Sequence, residues 1–224
     1  MQFLGGDDDE VSIIRSANAV ADHLRHCRLL APSTDNVVVL GGDRLLRVAS
    51  LKASELSIAK CEALFSLLER NMKELYVKSG WGWSEVEKRK DLFGPLSHLL
   101  VLYASGAEGA ENAEYCDSST IVGYVCFRFE WDDDDEPEFP VVYCYEMQVS
   151  GDFQRLGAGS FLMGLLYKLT KWHRIRKILL TVFKINEMAL KFYKKINFKV
   201  DSSSPSRFGD QSCNYEILSL KVKV

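Results

Sequence analysis

A glutamate followed closely by a glycine-rich run is the part of this chain best suited to chemistry. Glu146 lies in Val141-Val142-Tyr143-Cys144-Tyr145-Glu146-Met147-Gln148-Val149, a stretch of β-branched and aromatic residues that reads as a strand. A carboxylate in such apolar surroundings has a raised pKa, which suits a general base; it could equally be a structural carboxylate bonded to neighbouring backbone. Next comes Gln154-Arg155-Leu156-Gly157-Ala158-Gly159, a Q-x-x-G-x-G run. Its glycines let backbone approach a ligand and turn its N–H groups outward. The helix that follows, from near Ser160, puts Phe161, Leu162, Leu165, Leu166, Leu169 and Trp172 on one apolar face. A helix N-terminus carries partial positive charge and unpaired donors, so the run fits a phosphate cradle as well as a plain strand-to-helix turn. It is neither G-x-x-x-x-G-K-[ST] nor G-x-G-x-x-G, which sets aside a P-loop and a Rossmann site.

The elements that must hold these residues follow from periodicity. Residues 11–30 suggest a loose helix, ended by Pro32-Ser33-Thr34-Asp35. Strands are expected at Val37–Leu40 and Leu45–Leu51 around a Gly41-Gly42-Asp43 turn. From Ser54 to Tyr76 apolar residues recur at helical steps, and Ser84 caps a charged helix running to about Asp91. Further strands are expected at Leu99–Ala104, Ile121–Phe129, Ile175–Phe183 and Ser212–Val222. Residues 105–119 and 197–210 read as loops. Residues 1–50 form a poorly defined N-terminal extension, and 51–224 the working domain.

The chain has 224 residues, enough for one domain with a sizeable core, and 47% are hydrophobic, which argues against disorder. Its net charge of −3, from 28 basic and 31 acidic residues, argues against a broadly basic nucleic-acid binder. Six cysteines show no C-x-x-C pair and read as thiols in a reducing compartment. His23, His26, His98 and His173 have neither metal nor triad spacing, so no metal is expected. No apolar run has the length of a membrane span, and the first ten residues lack the features of a signal peptide.

The downstream order narrows the choice. Strand, Q-x-x-G-x-G, helix, strand, then N-x-x-A-x-x-F-Y-x-x-x-x-F over Asn186–Phe198 resembles the acetyl-CoA-binding core of the GNAT acetyltransferases across residues 120–200. Six further blocks resemble the NatD family: Ser79-Gly80-Trp81-Gly82-Trp83, Phe127-Arg128-Phe129-Glu130, Tyr143-Cys144-Tyr145-Glu146, Leu180-Thr181-Val182-Phe183-Lys184, Ser203-Ser204-Pro205-Ser206 and Cys213-Asn214-Tyr215-Glu216-Ile217-Leu218. That resemblance implies an α/β GNAT fold: a mixed, mostly antiparallel sheet flanked by helices, with acetyl-CoA in the splay between central strands. It implies transfer of acetyl to the N-terminal α-amine of histone H4 and histone 2A, by a monomer of nucleus and cytoplasm. It assigns the catalytic glutamate to Glu146. Trp81, Tyr143, Tyr145, Thr181, Ser203 and Tyr215 would line the peptide pocket, with Glu130 and Asp132 against a substrate arginine. The alternating Tyr143 and Tyr145 share one face of a regular strand and could instead be core. Acetyl-CoA would be held by Met147, Gln148, Val149, Gln154, Arg155, Leu156, Gly157, Ala158, Gly159, Ser160 and Asn186. Tyr193 falls where many GNAT enzymes keep a tyrosine near the departing thiolate.

An α-amine suits a modest base. Its pKa near ~7.8 makes the neutral form cost about 1 kcal/mol at pH 7, against roughly 4–5 kcal/mol for a lysine near ~10.4. Two other functions fit less well: a GNAT enzyme for lysines or small amines, and a non-catalytic scaffold that binds histone tails. The acids from Glu130 to Glu138 read either as a solvated loop or as a steering surface for a cationic peptide.

Overall fold

The long apolar runs become strands packed on both faces, as their near-continuous hydrophobicity requires. They are β3 (His98–Ala104), β4 (Ile121–Trp131), β5 (Pro140–Val149) and β6 (Lys177–Phe183), in a computed structural model that describes residues 7–31, 36–104, 120–132, 139–210 and 212–224. With β1 (Val37–Leu40), β2 (Arg44–Lys52), β7 (Lys199–Val200) and β8 (Tyr215–Lys221) they form one sheet, in the order β1-β2-β3-β4-β5-β6-β8-β7. Every neighbouring pair is antiparallel except β5 and β6. That parallel pair is short: it holds register only at Val142↔Ile178, Tyr143↔Leu179 and Cys144↔Leu180. Beyond Cys144 and Leu180 the two strands diverge, and the facing edge of residues 145–149 has no strand partner among the described residues. The fold is therefore the expected one, a mixed and mostly antiparallel sheet splayed at its centre.

Helices cover both faces of the sheet: α1 (Asp7–Ala19), α2 (His23–His26), α3 (Ile58–Lys78), α4 (Glu85–Leu92), α5 (Ala158–Trp172) and α6 (Glu187–Lys195). On one face Leu162, Leu165, Leu166 and Leu169 of α5 meet Val125, Phe127, Val142 and Ile178. On the other, Leu64, Phe65, Leu67 and Leu68 of α3 meet Leu99, Val101, Tyr124 and Cys126. Each fully buried Leu of these stripes contributes about 1.5–3 kcal/mol. Trp172, expected on the buried face of α5, is 47% exposed because it lies on the helix's last turn, past the sheet-facing stripe. Among the described residues no helix is long and apolar enough to cross a membrane.

The described residues of the first fifty join the same sheet and core as the rest of the chain. β2 pairs with β3 along seven positions, from Leu46↔Ala104 to Lys52↔His98, and Ala17, Leu24, Cys27 and Leu29 are buried in the α5-side core. Sheet pairing and apolar burial run straight across residue 50. The loose helix expected over 11–30 is instead two helices, α1 and α2, with α2 capped by Asp22, whose side chain accepts from the Arg25 amide. The expected loop over 105–119 and the acids at 133–138 lie outside the described residues.

Candidate active site

A one-residue irregularity in β5 sets the geometry. Along β4, Tyr124, Cys126 and Arg128 alternate regularly onto the α3 face. Their partners on β5 are Gln148, Glu146 and Tyr143, because the register skips Tyr145 between Cys126↔Glu146 and Phe127↔Cys144. Tyr145 is thus the extra residue of a β-bulge, which re-aims the side chains that follow it. An unbroken alternation would turn Glu146 away from the tyrosines. With the bulge, Tyr143, Tyr145, Glu146 and Gln148 share one face, and the two tyrosine rings lie 5.0 Å apart. Arg128 fixes the bulge from below: its guanidinium sits 4.1 Å from the Tyr145 ring centroid, and its Nε donates to Ser97 Oγ at 2.9 Å.

Glu146 is 9% exposed. Burial raises its pKa from 4.5 to about 7, opposed by the Gln148 amide, which donates to Oε2 at 2.9 Å, and by the Lys88 cation. Half of such carboxyls are ionised at neutral pH, where a proton acceptor is most effective. The orientation is relayed from α3: Asn71 Nδ2 donates to Gln148 Oε1 at 3.0 Å and to the Val149 carbonyl at 3.1 Å. Glu146 lines a cavity of about 450 Å³ that passes through the splay. One side is walled by Tyr76, Trp81, Lys88 and Asp91, the other by Asn186, Ala189 and Tyr193, with Met147 and Val182 between. Lys88 Nζ lies 2.6 Å from Asp91 Oδ2 and donates to the Tyr76 hydroxyl at 3.3 Å. Burial pushes the Tyr193 phenol well above its ordinary value, so it is a protonated donor at neutral pH.

The Q-x-x-G-x-G run has the character of an anion site. Helices α2, α3, α4 and α6 each begin with a side-chain cap, from Asp22, Ser57, Ser84 and Asn186. α5 begins at Gly157 with no side-chain cap, so its first N–H groups are left for another acceptor. Gly157 has φ +94°, and a Cβ built there meets nothing within 4 Å, so the space above the turn is open. Arg155 is also left-handed, at φ +61°. Gln154 holds the turn to β5 by donating to the Val149 carbonyl at 3.1 Å. A Cβ at Gly159 would lie 3.3 Å from the Phe192 ring, so α5 and α6 close together behind the turn. An uncapped helix start, an open glycine turn and an unpaired strand edge fit a pyrophosphate and an extended amide-bearing arm. Asn186 Oδ1 caps α6 by accepting from the Ala189 amide at 3.1 Å while its side chain lines the cavity. The Gln148 side chain, expected on the cofactor, points instead to Asn71 and Glu146.

The expected peptide-side residues divide. Trp81 is 52% exposed, with Nε1 donating to Asn214 Oδ1 at 2.9 Å, and its ring packs edge-on against Phe183 and Tyr215. Thr181 Oγ1 is 2.6 Å from the Tyr143 hydroxyl. Glu130 accepts from the Tyr145 hydroxyl at 2.7 Å, beside the cavity. Ser203 is turned away: its hydroxyl and amide both donate to Asp201 Oδ1. Asp132, expected against a substrate arginine, lies in the core instead. It is 2% exposed, with its carboxylate 2.5 Å from Lys177 Nζ, which also lies 3.1 Å from Asp201. A carboxylate held in a buried triad cannot face a substrate arginine. Lys177→Met leaves two buried carboxylates uncompensated, and the expected cost is about 3–5 kcal/mol in urea unfolding. Asp132→Asn is expected to leave the peptide KM within about twofold of wild type, and a large rise in that KM would restore Asp132 to the substrate site.

Asn71, Tyr76, Lys88 and Asp91 were missed by sequence reasoning. They sit on α3 and α4, which read as packing and as a solvated charged helix. The sole local hint is the Lys88–Asp91 spacing, which puts opposite charges three apart on one helix face.

Solved structures of the same fold include Arabidopsis thaliana NAA60 with a bisubstrate analogue (12% identity, TM-score 0.53, covering 79% of this chain and 99% of that one). Others are the NatC complex bound to Gag peptide and CoA (13%, 0.53, 80% and 99%) and PaiA N-acetyltransferase from Thermoplasma acidophilum with coenzyme A (15%, 0.51, 79% and 98%). The model of the acetyltransferase (GNAT) family matches residues 71–198, which take in the bulged strand, the glycine turn and α6. That span is more than half of the chain, and the protein belongs to the GNAT family of acetyltransferases, which use acetyl-CoA.

Proposed function

We propose that this protein is an Nα-acetyltransferase of NatD type, acting on the N-termini of histone H4 and histone 2A in nucleus and cytoplasm. The observation that carries the reading is a buried carboxyl with a pKa of about 7, set by a bulge into a cavity that joins an anion-type turn to an aromatic wall. The six sequence blocks resembling NatD supply the substrate assignment. Support also comes from the NatC complex, which is bound to Gag peptide and CoA and has a chain of this fold.

In this reading the α5 N-terminus and the open edge of β5 hold acetyl-CoA, which supplies the thioester carbonyl. The substrate amine enters between Trp81, Tyr143, Tyr145 and Tyr215. Glu146 takes the amine's proton, and Gln148, held by Asn71, keeps the carboxylate aimed. In the same reading Tyr193 returns a proton to the departing thiolate. The α-amine's lower pKa matches a carboxyl near neutrality far better than a lysine does. Glu130 is the acid that meets an arginine at the third residue. A charge-assisted pair there is worth about 1.5–3 kcal/mol if shielded, and less if exposed.

The enzyme is expected to acetylate a Ser-Gly-Arg-Gly peptide at its α-amine and to leave internal lysines alone, as mass spectrometry of the product would read. Replacing the arginine by alanine, or Glu130 by alanine, is expected to raise KM several-fold, and added salt to raise it for wild type. Equal rates on lysine-bearing peptides with blocked N-termini would overturn the assignment in favour of a lysine acetyltransferase.

A further inference from the structure

A second cluster of reactive side chains lies outside the acetyl-transfer cavity, where α2, the end of α5 and β3 meet. His23 and Cys27 are four residues apart, on one face of α2 and its C-cap, and His173 is the C-cap of α5. One ligand atom from each of His23, Cys27 and His173 lies within 4.8 Å of the others. Cys27 Sγ is 3.5 Å from His173 Nε2. A tetrahedral zinc ion with ordinary Zn–S and Zn–N bonds would set a sulfur and a nitrogen about 3.6 Å apart. His23 is 0% exposed and Cys27 3% exposed, while His173 is partly open to solvent and offers a way in.

The hydrogen bonds around His23 supply an independent observation. His98 Nε2 lies 3.3 Å from the acceptor Asn18 Oδ1, and His23 Nε2 lies 3.1 Å from His98 Nδ1. With the Asn18 side-chain oxygen facing His98, His98 donates to Asn18 and His23 Nε2–H donates to His98 Nδ1. His23 Nδ1 is then left as a bare lone pair, buried and with no hydrogen-bond partner. An unpaired buried acceptor costs about 1–3 kcal/mol, and core imidazoles usually avoid it. A metal-bound imidazole has this pattern, with one nitrogen on the ion and the other N–H fixed by an oriented acceptor. The backbone N–H of His23 donates to Ser50 Oγ at 3.0 Å, which ties the start of α2 to β2. Packing of Phe129 against both His23 and His173, at centroid distances of 5.6 and 5.3 Å, makes the surroundings apolar.

We propose that His23, Cys27 and His173 form a zinc site, with water in the fourth position, that pins the N-terminal helices to the end of α5. Two imidazoles and one thiolate are a ligand set for zinc, where a hard cation such as magnesium would need oxygens. On binding, the Cys27 thiol gives up its proton to solvent and its sulfur bonds the ion, with no change of oxidation state. None of these residues lines the acetyl-transfer cavity, so the site stands apart from the reaction centre.

The full chain, stripped of metal by a chelator, is titrated with zinc in competition with a chromophoric chelator, and with cobalt as a spectroscopic substitute. One zinc per chain with a submicromolar Kd is expected, and a thiolate-to-cobalt charge-transfer band in the near ultraviolet. Cys27→Ser is expected to remove that band. His173→Ala, at a partly exposed turn where folding is readily kept, is expected to weaken zinc at least tenfold. Saturating zinc should raise the thermal midpoint of wild type and not of Cys27→Ser. Absence of the charge-transfer band in the folded wild-type chain, or its survival in Cys27→Ser, would overturn the site.

Discussion

Glu146→Gln is expected to lower kcat at neutral pH by about 10²–10⁴ while leaving acetyl-CoA affinity near that of wild type. The amide keeps the volume and can still accept the hydrogen bond from Gln148, but it cannot take a proton. The deficit should shrink as pH rises above the substrate amine's own pKa, where free amine no longer needs a base. For wild type, kcat/KM is expected to climb through pH 7, where Glu146 ionises, and to level off above the amine's pKa. Stability should move the opposite way. The carboxyl titrates at about 7 when folded against 4.5 when unfolded. Below 4.5 both states hold the proton and the group costs nothing. Between 4.5 and 7 the unfolded chain ionises first, so folding stability falls as pH rises, by a few kcal/mol in all. Glu146→Gln removes that cost. The variant should be the more stable protein at pH 8 in urea unfolding, with the advantage vanishing toward pH 4.5. A rate within about twofold of wild type would remove Glu146 from the mechanism. A stability gap that ignores pH would show that its pKa is not raised.

Gly157→Glu is expected to abolish measurable acetyl-CoA binding, a loss of at least ~10²-fold by calorimetry. The left-handed backbone at φ +94° costs a side chain of the order of 1–2 kcal/mol, which the fold can bear because nothing lies within 4 Å of the new Cβ. The larger effect is on the ligand. The carboxylate stands where phosphate oxygens must meet the uncapped N–H groups of α5, and it repels them. Gly157→Ala separates the two effects, since it adds strain without charge, and it is expected to fall between glutamate and wild type. Unchanged affinity in the folded Gly157→Glu variant would reduce the run to a turn.

Short-range pattern was enough for much of this. The Q-x-x-G-x-G run, the strand before it and the apolar stripe of α5 are local features. Glycine conformation, helix periodicity and strand propensity act over a few residues, so the phosphate-type turn and the strand bearing Glu146 were legible in order and nearly in register. Ser84 could be read as a helix cap for the same reason. What lay beyond the sequence is where a single residue or a distant partner decides. Alternation cannot reveal that Tyr145 is an extra residue in β5, yet that bulge alone brings Glu146 to the face of Tyr143. Asp132 was expected against a substrate arginine, but Lys177, 45 residues on, holds it in the core, because a buried cation recruits whichever carboxylates the sheet sets beside it. His23, Cys27, His98 and His173 had no spacing worth reading, and the packing of α2 against α5 and β3 put them together. Asn71, Tyr76, Lys88 and Asp91 looked like ordinary helix residues for the same reason. A sequence records the period of its own elements, whereas only the packed sheet decides which faces meet and which charges share low-dielectric space.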